Sequence, residues 1–207
     1  MDELMRQVDE HYERAVFNGE YGGLPAADRA LDAVEAALLV QRGRILHCRF
    51  LESRTEQPGE LAYFERAAGL YRVASDLRGE AEAEFWIGCF HQVVRGDNPT
   101  AVPHLQTAET LARRTSDTLT LSYTLRHLGI AAQMSGNLPE ARAFLEESTT
   151  LRRTLGFTAG VAANLVGLIY LAKAEGRDPS ALADEATTLA TSAGATKILD
   201  QITEART

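Results

Sequence analysis

The chain has 207 residues, 45% hydrophobic and 24% charged, apolar enough to bury a core and to exclude a disordered polymer. Its formal charge is −8 with pI near 5.2, and no Lys/Arg cluster forms a basic face, so no nucleic-acid partner is expected. No run approaches the ~20 apolar residues of a membrane span, so no membrane partner is expected either. The opening MDELMRQVDE is acidic and periodic rather than basic then apolar, which makes the cytoplasm the expected compartment and Cys48 and Cys89 reduced thiols. Lys173 and Lys197 are the only lysines; with abundant Ala and Gly, that arginine bias suggests a GC-rich bacterial genome.

Residues 2–17 place Leu4, Met5, Val8, Tyr12, Ala15 and Val16 on one helical face. GGLP separates this helix from a second at 25–37, so residues 1–35 read as an atypical N-terminal hairpin. Next, ILHCRFLESRTEQPGELAYF leads to a turn at Pro58. WIGCFHQVVRGDNPTAVPHL carries Gly88, then Gly96, Asn98 and Pro99. HLGIAAQMSGNLPEARAFLEES carries Gly129, then Gly136, Asn137 and Pro139. LVGLIYLAKAEGRDPSALADEA carries Gly167, then Gly176, Asp178 and Pro179. In each of these last three, glycine ends one helix in the left-handed conformation, Asn or Asp caps the next, and proline sits in its first turn. The spacings repeat: Pro58 to Pro99, Cys48 to Cys89, Ser75 to Ser116 and Gly88 to Gly129 are each 41 residues, and Gly129 to Gly167 is 38. An internal repeat of two helices predicts second helices starting near Pro58, Pro99, Leu138 and Pro179. Residues 195–205 predict a terminal helix with Ile198, Leu199 and Ile202 inward.

Leu125, Leu128, Gly129, Ala132, Ala141, Leu145 and Ser148 together resemble the tetratricopeptide repeat. The resemblance spans about four units over residues 36–192, with 193–207 as a C-terminal capping helix, in a single domain over 1–207. It implies an all-α, right-handed α-solenoid of antiparallel hairpins with about ten or eleven helices, Gly129 packing against Ala141 and Leu145. His47 stands where the other units have Gly88, Gly129 and Gly167, and His91 where the family usually has tyrosine. The resemblance further implies that residues three before the close-packing glycine line the inner curve: Arg44, Phe85, Arg126 and Asn164. Gln41, Glu82 and Tyr123, six before it, and Cys48, Cys89, Ile130 and Leu168, one after it, join them. The paired Lys and Asn residues with which some arrays of this family grip a C-terminal carboxylate are absent, since these positions hold no Lys and only one Asn, Asn164.

No nucleophile elbow, zinc-protease motif, phosphate loop or dinucleotide fingerprint occurs, so no catalytic residue, cofactor or metal is assigned. Cys48 and Cys89 read as small core thiols, His104 and His127 as surface or interface histidines. The expected function is a non-enzymatic module binding a protein or peptide in a groove of Arg44, Glu82, Phe85, Tyr123, Arg126 and Asn164, in bacterial regulation. A homo-oligomer is compatible with this. The alternative is a small-molecule sensor or enzyme with an inner-face pocket at Phe85, Tyr123, Arg126 and His91.

Overall fold

A computed structural model describes residues 2–206, and among these there is no strand. Ten α-helices follow one another: α1 Asp2–Asn18, α2 Leu24–Ser53, α3 Glu60–Ala74, α4 Leu77–Cys89, α5 Asn98–Arg114, α6 Thr118–Met134, α7 Leu138–Thr154, α8 Thr158–Ala174, α9 Ser180–Ser192 and α10 Thr196–Arg206. They pair as antiparallel hairpins, α2 with α3, α4 with α5, α6 with α7 and α8 with α9. None of the described helices is long and apolar enough to cross a membrane.

The turns between hairpins are set by short chemistry. Ser75 and Ser116 adopt left-handed φ at helix ends, and Asp76 and Asp117 then cap α4 and α6 by accepting from backbone N–H groups two or three residues on. Within hairpins, Asp97 and Asn137 cap α5 and α7, so Asn98 is the first helical residue rather than the cap. The second helices begin at Glu60, Asn98, Leu138 and Ser180, close to the predicted starts.

Three features differ from the expectation. First, α2 runs unbroken for 30 residues across the expected boundary at 35/36, because nothing between Pro25 and Ser53 stops a helix. The second helix of the N-terminal hairpin and the first helix of the first repeat are therefore one element. Second, helix starts Thr118 and Thr158 are 40 residues apart, so Ile169, not Gly167, is the counterpart of Gly129. Third, α4 continues into a π-helical turn, Phe90–Val94. The hairpin from Leu77 to Asn98 carries one more residue than that from Thr118 to Leu138, and the π turn absorbs it.

Packing follows the small residues. A Cβ on Gly129 would lie 3.0 Å from Leu145 Cγ and 3.2 Å from the Ala141 carbonyl, the partners expected for it. Gly88 repeats this against Leu105 and Ala101. Leu145, fully buried, also fills the space beside Gly167, so one side chain joins successive hairpins and contributes about 1.5–3 kcal/mol. His47 and Glu60 occupy the corresponding places in the α2–α3 hairpin, and His47 Nδ1 donates to Glu60 Oε1 at 2.8 Å. There a buried polar pair stands in for the glycine–alanine contact.

The first helices α2, α4, α6 and α8 touch in succession, whereas second helices meet chiefly their own partner and the next first helix. The array is thus tighter on the first-helix side. α10 closes the far end on α8 and α9, with Ile202 and Ala205 buried.

Candidate functional site

On the first-helix side a row of rings crosses the hairpins. Trp86 of α4 stacks on Phe64 of α3 (5.5 Å between centroids) and meets Phe85 edge-on at 5.1 Å. Phe85 reaches Tyr123 of α6 at 5.6 Å, and Tyr123 reaches Phe157 at the start of α8 at 5.8 Å. Arg44 lies 5.6 Å from the Trp86 ring centroid, donates to Gln41 Oε1 at 3.2 Å, and is 3.9 Å from Glu82 Oε1. Arg44, Glu82 and Trp86 therefore form an exposed or half-buried edge at one end of the row.

At the other end Tyr123 and Arg126 are partly exposed. Arg126 Nη1 donates to the Ala163 carbonyl at 2.7 Å and to Asn164 Oδ1 at 3.3 Å. Arg152, 1% exposed, donates through Nη1 to the Gly160 carbonyl at 2.8 Å and to the same Asn164 Oδ1 at 2.9 Å. Its guanidinium lies 4.9 Å from the Tyr123 ring centroid and 5.4 Å from that of Phe157. Asn164 Nδ2 in turn donates to Ser148 Oγ at 2.8 Å, and Ser148 Oγ to the Ser122 carbonyl at 2.5 Å. Burial pulls the Arg126 guanidinium down to about 10. Burial, then the neighbouring Arg126 charge, pulls Arg152 down to about 9.

The six predicted groove residues thus divide. Arg44 with Glu82, and Tyr123 with Arg126, present surface; Phe85 and Asn164 are 3% and 0% exposed and cannot line a groove. Phe85 is packing between α4 and α6, because it sits one ring deep in the row. Asn164 orients the two arginines; with the offset of 40, Val166 rather than Asn164 corresponds to Arg126. Arg152 was missed. Its signal lay in the stripe Ala141, Leu145, Ser148, Arg152, which puts an arginine at an inward position of α7.

The histidines and cysteines also separate. Cys48 is exposed and Cys89 buried, so only Cys89 is a core thiol, and burial pushes it well above the usual thiol range. Cys89 Sγ lies 3.9 Å from His47 Nε2 and 4.0 Å from His127 Nε2. His127 is a half-buried interface residue: Nδ1 donates to Gln92 Oε1 at 2.6 Å, and Phe85 packs on its ring. Burial, then the charges of Arg126, Arg152 and His47, drive it down to about 3. His91 stacks on His104 of α5 at 6.0 Å, while Tyr123 contacts Phe85 and Phe157. Among the described residues no group of three or more His, Cys, Asp or Glu could hold a metal ion.

An open cleft lies elsewhere. Where α5 and α7 splay, a cleft of about 640 Å³ is walled by Val102, Pro103, Leu128, Ala131 and Phe144, with Gln106 among its polar groups. No family model matches the chain, and no curated protein is significantly similar to it.

Proposed function

We propose that the protein is a non-enzymatic interaction module, built as a right-handed solenoid of the tetratricopeptide type, that binds a protein or peptide segment along its first helices. The reading is supported chiefly by the aromatic row edged by the accessible Arg44, since aromatic and arginine side chains are the usual anchors of binding surfaces. Arg44 and Glu82 at one edge offer charges of both signs, so a bound segment is held by paired contacts there. The test is titration of a partner recovered by pull-down against Arg44→Ala and Glu82→Arg, both on exposed or half-buried side chains. Each is expected to weaken binding by about 1–3 kcal/mol with melting unchanged. Wild-type affinity in both moves the binding face elsewhere.

A second reading is favoured by the α5–α7 cleft, whose size and apolar walls suit a small amphipathic molecule. Under it, Ala131→Phe fills the cleft and removes ligand-induced thermal stabilisation, while Arg44→Ala leaves it intact.

A further inference from the structure

Arg152 stands at a position that can be compared across three hairpins. The residue opening each following turn donates its N–H to the carbonyl of Tyr71, Ala112 or Arg152, so these three are structural counterparts. Tyrosine and alanine serve there in the first two; the third buries a guanidinium. A buried cation is costly unless paired, and neutral packing would satisfy the fold.

The pairing is incomplete. All the oxygens that accept from Arg126 and Arg152 are neutral: two backbone carbonyls and one shared amide oxygen. Arg152 Nε and Nη2 are buried without any hydrogen-bond partner. The Tyr123 and Phe157 rings offset part of the charge, but they leave those N–H groups unbonded. Other arginines nearby, Arg142, Arg153 and Arg113, all have carboxylate partners. In a chain with 29 acidic and 21 basic residues, two adjacent guanidiniums without an acid are an exception that calls for an occupant. Because both bond one oxygen of Asn164, their cationic heads are held side by side, and Ser148 fixes that amide from behind. Arg126 is the less buried of the two, so a ligand would meet it first.

We propose that Arg126 and Arg152, oriented by Asn164, form a receptor for one oxyanion, a carboxylate or phosphate group. Arg126 makes the first contact, and Arg152 behind it supplies the second charge and the unfilled donors. Two guanidinium forks suit the several acceptor lone pairs of either group. The inference deepens the first-helix reading by naming the group recognised, and depends on that reading only for what carries the group.

The test uses the full chain and free ions. Thermal melting is followed while sodium phosphate, or sodium acetate, replaces sodium chloride at constant ionic strength, in the wild type, Arg126→Gln and Arg152→Met. Phosphate stabilises proteins generally by exclusion from their surface, so the decisive quantity is the saturable part of the rise that the variants lack. Saturable stabilisation of the wild type, with half-saturation moved about tenfold or more in Arg126→Gln, supports the receptor. The effective ion separates phosphate carriers from carboxylate carriers. No saturable rise with either ion, or an identical rise in Arg126→Gln, overturns it. Arg152→Met is expected to melt no lower than wild type without the ion, since it removes an uncompensated charge; if it does not fold, Arg126→Gln decides alone. A normal ion response alongside failure of the Arg44 and Glu82 titrations would reject the first-helix partner and keep the receptor.

Discussion

His127 shows how a single side chain ties packing to pH. With Gln92 accepting from one nitrogen, Phe85 on its ring and two arginines nearby, it stays neutral down to about pH 3, against about 6.5 in the unfolded chain. Between those values the unfolded chain binds a proton that the folded one does not. Stability therefore rises with pH in that window, and is lost as pH falls from about 6.5 toward 3, by up to about 1.4 kcal/mol per pH unit. Denaturant unfolding from pH 7 to 4 is expected to show this slope, and His127→Gln to flatten it over the same range. An equal slope in both proteins would mean that His127 is protonated in the fold. Arg152 belongs to the same scale: its inward place was legible in a three- and four-residue stripe, but arginine at such a position carries no propensity signal that distinguishes burial from solvation.

Among the helices, the α2–α3 hairpin solves the close-approach problem differently from its neighbours. Where Gly88 meets Ala101 and Gly129 meets Ala141 through van der Waals contact, His47 and Glu60 meet through a hydrogen bond inside the core. Glu60 is 0% exposed and its Oε2 accepts no hydrogen bond, so the pair depends on both members. Glu60→Ala is expected to cost about 1–3 kcal/mol by stranding the imidazole. In a cycle with His47→Ala, the double variant should lose less than the sum of the singles, with a coupling above about 0.5 kcal/mol by equilibrium unfolding. Strict additivity would show that the two side chains act independently. The departure at position 47 was readable from the repeat, because histidine broke a column of glycines. Its partner was not, because a Glu two residues past Pro58 looks like any solvated first-turn acid.

For the whole array, the ends decide whether the stack is closed. α10 lays Ile202 and Ala205 on the core shared by α8 and α9, Lys173 Nζ donates to the Ala205 carbonyl at 3.1 Å, and Arg206 pairs with Asp184 at 2.7 Å. A stack of this kind exposes an apolar face wherever its terminal helix is missing. Deleting residues 195–207 is expected to lower stability by at least the ~1.5–3 kcal/mol associated with burying Ile202, with earlier loss of protection in α8 and α9 by hydrogen exchange. Protection unchanged in those helices would make α10 a passive appendage.

The periodic apolar positions, the turn residues and the 41-residue spacing by themselves determined an all-helical chain of hairpins and where most second helices begin. These are local properties: capping needs neighbours a few residues away, and amphipathic spacing repeats within one helix. The exact correspondence of the last hairpin, the unbroken α2 and the π turn after Cys89 came from tertiary packing, since one residue more or less changes no local pattern but shifts every contact across a hairpin. The candidate site divides in the same way. Arginines and aromatics on first helices were visible in the sequence, whereas the burial of Phe85 and Asn164 was not. Nor was the meeting of Arg126 with Arg152 on one amide oxygen, because it depends on three different helices converging, and that proximity exists only in the folded stack.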